Sequence, residues 1–182
     1  MKKKKFIRFS GIKYRFVMFI VNAFLSNRSK GYFESKRKLL IWAGYQIGEG
    51  TKIVGPIEAN GKLTIGKNCW IGKNLTVNGN GSVVIGDNCD IAPEVTFQTG
   101  GHEIGGAERR AGKGIIAHQS VGNGVWIGGR VTIIGNISIG DSSVIAGCAC
   151  VVKDVEPNVV VGGVPAKVIR RLDDASTQGV SE

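Results

Sequence analysis

The sequence predicts an all-β solenoid, in which short parallel strands wind into a three-sided coil. Three observations predict it. An aliphatic or aromatic residue recurs every six positions: Ile47, Ile53, Ile65, Ile71 and Val77, then, after a slip of two, Ile85, Ile91 and Phe97, and in phase with these Val121, Ile127, Ile133, Ile139, Ile145 and Val151. Glycine often follows that residue (Gly48, Gly66, Gly72, Gly86, Gly122, Gly128, Gly140), and a small or apolar residue sits four places after it (Thr51, Cys69, Val95, Val125, Val131, Ser143, Ala149). The chain holds 28 Gly but only 4 Pro, which suits a backbone that turns a corner every few residues. An α-helix repeats about every 3.6 residues and a strand about every two, so neither generates a hexad. Three hexads, each one short strand and one corner, close one triangular coil.

Taken in order, residues 1–46 read as a basic, apolar, helical lead-in, with helix-like clustering at Phe16–Leu25 and Arg37–Tyr45 and a break at Asn27–Gly31. Residues 47–172 form the β-helix domain. Its first block of coils runs to residue 98, and Asn78-Gly-Asn-Gly81 marks a shortened or distorted coil where the register slips. Residues 99–120 lose the period, yet Phe97 and Val121 lie four whole hexads apart, so this loop leaves and rejoins the coil in register. A long aperiodic insertion in a regular scaffold is usually functional. The second block covers 121–155. A Gly-Gly-Val-Pro turn then leads into a short C-terminal helix, Ala166–Leu172, and residues 173–182 are a polar tail. The interior is a thin column of Ile and Val with no room for a large cavity, so an active site must lie outside, under the loop or between subunits.

The net charge of +10 is a local property. Residues 1–40 hold 12 of the 24 Lys and Arg and one acid, Glu34, which leaves 12 basic and 13 acidic residues for the rest. A nucleic-acid stripe along the body is therefore not expected. The lead-in has two compatible readings: a cap over the exposed strand edges of the first coil, and contact of residues 1–40 with an anionic membrane. Its apolar run is about ten residues, short of the roughly 20 needed to span a bilayer, and no cleavable signal is apparent. Cys69 and Cys89 fall on inward slots, and Cys148-Ala-Cys150 lacks metal or redox spacing. Free thiols fit a cytoplasmic protein.

Val125-Trp-Ile-Gly128, Val152-Lys-Asp154, Pro157-Asn-Val-Val160 and Gly163-Val-Pro-Ala-Lys-Val-Ile-Arg170, together with Thr99-Gly-Gly-His102, resemble the hexapeptide-repeat acyltransferases. The similarity is greatest to the galactoside, maltose and capsule-sugar O-acetyltransferases and covers about residues 47–172. The resemblance implies a left-handed parallel β-helix, a homotrimer, acetyl-CoA as co-substrate and no metal. It makes His102 the catalytic general base; an imidazole near neutral pH suits removal of a proton from an attacking hydroxyl. Asn78 matches an asparagine that lines the acceptor site, and Glu103, Glu108, Arg109 and Arg110 lie on the loop within reach of an acceptor. Trp126 matches an indole along the CoA groove at a subunit interface. Gly128, Ala146 and Gly147 fall where backbone meets the pantetheine arm, and Lys153, Lys167 and Arg170 where cations meet CoA phosphates. His118 has no place in the motif and reads as structural or surface.

The chain departs from the family in three places. Val152 stands where a Thr often precedes the Lys, Ile134-Gly135 replaces Pro-Gly, and residues 1–46 have no segment matching the acidic acceptor contact of the maltose and galactoside enzymes. Small free sugars are thereby less favoured than a sugar hydroxyl on a surface polysaccharide or its precursor. The alternatives are N-acetylation of an amino sugar, O-acetylation of serine and, in a different class, a non-catalytic hexapeptide-repeat assembly protein. Metal chemistry of the three-His kind is not expected from His102 and His118 alone.

Overall fold

A computed structural model describes residues 11–26 and 30–172. Two helices, α1 (Ile12–Phe24) and α2 (Lys30–Ala43), precede the coils. The first coil is β1 (Gln46–Ile47), β2 (Lys52–Ile53) and β3 (Ile57–Ala59), and the second is β4 (Lys62–Ile65), β5 (Trp70–Ile71) and β6 (Leu75–Asn78). The third is β7 (Ser82–Ile85), β8 (Asp90–Ile91) and β9 (Thr96–Gln98). A pair outside the coil follows, β10 (Gly100–Ile104) and β11 (Ala111–Ile116). The fourth coil is β12 (His118–Val121), β13 (Trp126–Ile127) and β14 (Thr132–Ile134), and the fifth is β15 (Ser138–Ile139), β16 (Val144–Ile145) and β17 (Cys150–Val151). β18 (Val159–Gly162) continues a partial sixth, and β19 (Lys167–Arg171) folds back on it.

These strands build three parallel faces. Face A stacks β1-β4-β7-β12-β15, face B stacks β2-β5-β8-β13-β16-β18 with β19 at its end, and face C stacks β3-β6-β9-β14-β17. The hexad residues point inward in columns. Ile53, Ile71, Ile91, Ile127, Ile145 and Val161 line face B, and Ala59, Val77, Phe97, Ile133 and Val151 line face C, all buried. Full burial of each such side chain contributes roughly 1.5–3 kcal/mol, and this column is what holds the coils together. Corners repeat as faithfully as strands. Asn68, Asn88, Ser142 and Asn158 take positive φ at the A-to-B corner, and Asn74, Glu94, Arg130 and Cys148 do so at the B-to-C corner. Asn, which holds four of these eight positions, tolerates this left-handed region, whereas Glu94, Arg130, Ser142 and Cys148 adopt it because the coil's geometry requires the corner there. At the first corner other side chains form a ladder, with Lys67 N–H donating to Asp87 Oδ1, Asp87 N–H to Asn123 Oδ1 and Asn123 N–H to Asp141 Oδ1.

Register explains the slip. Thr64 pairs with Val84 and Trp70 with Asp90, so this coil spans 20 residues where Gln46–Thr64 and Thr132–Cys150 span 18. The coil at Asn78–Gly81 is thus lengthened by two and not shortened. Across the insertion Phe97 pairs with Ile133, 36 residues on, which is two whole coils. The loop expected over 99–120 is a hairpin: β10 and β11 run antiparallel, with Gly100 opposite Ile116 and His102 opposite Gly114. Residues 118–120 already belong to the coil.

Both ends of the stack are covered. At the first coil, the helices offer side-chain donors to backbone carbonyls. Lys36 Nζ donates to Val54, Arg37 Nη1 to Ile47, Asn22 Nδ2 to Ile57 and Tyr14 Oη to Ala59, while Asn22 Oδ1 accepts from Ile57 N–H. Val17, Val21 and Leu40 are fully buried against the first coils. At the other end the expected helix Ala166–Leu172 is the strand β19. It pairs antiparallel with β18, Val161 opposite Val168 and Gly162 opposite Lys167. Branched Val168 and Ile169 favour the strand, and β18 offers an unpaired edge that a helix would leave open. The tail 173–182 lies outside the described residues.

Candidate active site

The hairpin is anchored by a buried threonine. Thr99 N–H and Thr99 Oγ1 both donate to the carbonyl of Asn78, at 2.7 and 2.8 Å, and Thr99 Oγ1 accepts from Gly81 N–H. Ala117 N–H donates to the Thr99 carbonyl, so the two feet of the hairpin are tied together. Gln119, buried beneath, donates from Nε2 to the carbonyls of Gln98, Ile133 and Gly135, closing the coil where the chain departs. His102 stands on β10, exposed, with Nδ1 2.9 Å from the carbonyl oxygen of Gly112 on β11. A carbonyl only accepts, so Nδ1 carries the proton in this pairing and Nε2 presents its lone pair outward. That is the arrangement a general base requires.

The other acceptor-side candidates surround this corner. Asn78 ends β6, half-buried, level with Gln98 on the next coil. Its carbonyl holds Thr99, three residues from His102. Glu103 sits at the irregularity of β10, and Arg109 in the turn, where its N–H donates to Gly106; both are exposed. Arg110 Nη1 donates to the Gly105 carbonyl and braces the turn. Lys153 lies on the same C-to-A corner two coils further on, exposed, beside Asp154, whose Oδ1 accepts from Ser138 N–H. His118 is on β12, its Nδ1 2.8 Å from Ser82 Oγ, and belongs to the coil surface.

The remaining candidates occupy face B and its edge toward face C. Trp126 is 57% exposed on the outer side of β13. Register places Val144, Val160 and Arg170 in line with it on successive strands. Gly128 and Gly147 stack at the B-to-C corner, where a Cβ on Gly128 would strike the backbone of Gly147. Ala146 N–H donates to Val161, and Lys167 is opposite Gly162 on the last strand pair. Beside this smooth edge Arg130 pairs with Glu94 at 2.7 Å, which raises the guanidinium pKa further.

In a three-sided prism the C-to-A corner lies opposite face B. The His102 group and the Trp126 group are therefore separated by the packed core, on the order of 15 Å for faces of about six residues. The structure brings His102, Asn78 and Lys153 to one corner, and Trp126, Gly128, Ala146, Gly147, Lys167 and Arg170 to the opposite side. Within one chain the two groups do not meet. Sequence reasoning missed Thr99 as the anchor, Gly112 as the partner of His102, and Gln119. Only Thr99 left a trace, as a small polar residue on the buried side of a strand end.

No protein-family model matches the chain. The galactoside O-acetyltransferase of Escherichia coli is 39% identical over 130 residues, 70% of this chain and 64% of that protein. This chain thus spans less than two thirds of that relative. An inferred acetyltransferase of Staphylococcus haemolyticus is 36% identical over 152 residues, 81% of this chain and 79% of its own length. Among solved structures, a hexapeptide-repeat acetyltransferase of Vibrio cholerae superposes with a TM-score of 0.76 at 28% identity, covering 88% of this chain and 89% of that one. A galactoside acetyltransferase in complex with coenzyme A does so with a TM-score of 0.68 at 31% identity, covering 88% and 79%. The chain belongs to the hexapeptide-repeat acetyltransferases, and its solenoid is their left-handed parallel β-helix.

Proposed function

We propose that this protein transfers acetyl from acetyl-CoA to a sugar hydroxyl, in a surface polysaccharide or its precursor, with His102 as general base. The observation that carries the reading is the Nδ1 contact of His102 with the Gly112 carbonyl, which leaves Nε2 available to the hydroxyl. The acceptor oxygen attacks the thioester carbonyl and its proton passes to Nε2. The tetrahedral intermediate then expels the CoA sulfur, which takes that proton from the imidazolium. An ester C–O bond forms and the C–S bond breaks, with no covalent enzyme intermediate and no redox change. Nearby N–H groups stabilise the developing oxyanion. A solved relative with coenzyme A bound supports the co-substrate.

Each protomer supplies half of this site. The corner with His102, Asn78, Glu103 and Arg109 takes the acceptor. Face B, with Trp126, Gly128, Ala146, Gly147, Lys167 and Arg170, takes CoA. Lys153 shares the hairpin's corner and reaches the phosphates of a CoA lodged between chains. A closed ring in which the hairpin corner of one chain faces the B side of the next joins the halves, and the homotrimer that the family resemblance implies is such a ring. The four cysteines, all free, fit a reducing compartment, and we place the reaction in the cytoplasm.

The test is His102→Ala in the full chain, with sugar and oligosaccharide acceptors screened by CoA release. Turnover is expected to fall about 10²–10⁴-fold with little change in the KM for acetyl-CoA. Retention of more than a few per cent of turnover overturns the assignment of the base.

A further inference from the structure

We propose that the outward face of α1 docks the protein on an anionic membrane surface. This inference stands apart from the acyl-transfer reading. α1 is apolar on two sides. Val17 and Val21 turn inward and are fully buried. On the opposite side Ile12, Phe16, Phe19 and Ala23 fall on one stripe at helical spacing, and the three large ones are 90%, 57% and 62% exposed. Phe24, also exposed, packs edge-on against Phe19 with ring centroids 5.8 Å apart and widens the patch. Lys13 and Arg15, both exposed, flank the stripe on either side. Lys13 Nζ lies 4.2 Å from the centre of the exposed Trp42 ring on α2, which adds an aromatic of the kind enriched at bilayer interfaces.

Charge selects the occupant. Lys2, Lys3, Lys4, Lys5 and Arg8 precede the helix in sequence, and the first acid in the chain is Glu34. Two copies pairing through this face would bring like charges together, whereas an anionic leaflet would neutralise them. An apolar stripe bordered by cations is the composition of a helix that lies in the headgroup plane. Among the described residues no helix is long and apolar enough to cross a membrane, so this contact is peripheral. It would stand the capped end of the coil on the bilayer, with the hairpin leaving the wall about two coil rises, roughly 10 Å, above the first coil. An acceptor anchored in the membrane would be served by that placement.

The test is flotation of the full chain with phosphatidylcholine vesicles, with and without about one third phosphatidylglycerol. The protein is expected to float with the anionic vesicles only. Phe16→Ser with Phe19→Ser, and separately Lys13→Glu with Arg15→Glu, should each weaken partition about tenfold or more. Melting temperature, oligomeric mass and acetyl transfer in solution should stay unchanged, because these side chains face solvent. The proposal is overturned if the wild type ignores anionic vesicles, if the Phe variant binds as well as the wild type, or if that variant alters the oligomeric mass. The last result would make the face a contact between copies. Binding to poly-glutamate but not to vesicles would mark a surface that reads charge alone and would equally sink it.

Discussion

The ammonium of Lys36 is fully buried and donates to the carbonyl oxygen of Val54 at 2.8 Å, so a charged side chain from the second helix helps satisfy the open edge of the first coil. Burial lowers its pKa from the ordinary 10.5 to about 8. In the unfolded chain the amine keeps its proton up to the ordinary value. Between these two values the unfolded state binds more protons, and stability rises with pH. Below about pH 8 the full cost of burying the charge applies. We expect the unfolding free energy of the wild type, relative to Lys36→Met, to rise by about 3 kcal/mol between pH 8 and 10.5. Denaturant melts of both proteins across that window would measure it, and a flat difference would show that the amine is not held against its charged form.

Gly81 sits under the feet of the hairpin. A Cβ there would strike the Ala117 carbonyl and approach the Thr99 side chain at 2.7 Å. Neither neighbour can retreat without loosening the anchor of β10. Gly81→Ala is therefore expected to cost about 1–3 kcal/mol and, if His102 is the base, to lower turnover as that residue loses its setting. Gly106, in the hairpin turn, has nothing near an added Cβ, and Gly106→Ala should stay within about 0.5 kcal/mol. Thermal melts with parallel rate measurements compare them. Equal effects would mean that the hairpin base is soft.

Trp126 stands clear of the core, so its removal should barely change the melting temperature. If its indole lies along bound CoA, Trp126→Ala raises the KM for acetyl-CoA about tenfold and leaves that of the acceptor nearly unchanged. Steady-state kinetics with each substrate varied in turn decide the point. A rise in the acceptor KM alone would move the indole to the other half of the site.

The hexad columns were legible because each coil repeats one geometry. A residue that faces inward at Ile53 must do so again at Ile71 and Ile91, so burial writes itself into the sequence as a period. The insertion's phase was legible for the same reason, since Phe97 and Ile133 share a column. The hairpin's own pairing was not, because its exposed strands, His102 opposite Gly114, bury no face and impose no alternation. The sequence of β19 suggests a helix because Ala-Lys-Val-Ile-Arg-Arg-Leu clusters its apolar residues as a helix would, while the deciding influence is the free edge of β18. Lys36 shows the same limit at the other end. Its position on a basic helix gives no hint that it is buried, because the reason lies in a carbonyl 18 residues away. The candidate site residues are named one by one by the family motif, but the motif does not place its two groups on opposite sides of one chain.

That opposition yields the sharpest prediction. If each site joins His102 of one protomer to face B of the next, His102→Ala and Trp126→Ala with Arg170→Ala damage different halves of it. Homotrimers of either variant have three impaired sites at subsaturating acetyl-CoA. In trimers formed by unfolding and refolding an equal mixture, a site is intact when the protomer that supplies His102 is of the second type and its neighbour is of the first. With random assembly about a quarter of the sites meet that condition in a closed ring. Activity should therefore climb from near zero in each pure variant to about a quarter of wild type in the mixture. If every site were contained in one chain, no protomer would carry both halves intact, and mixing would give only the average of the two variants. Tagged variants purified as mixed trimers, assayed beside unmixed controls taken through the same refolding, separate the two outcomes.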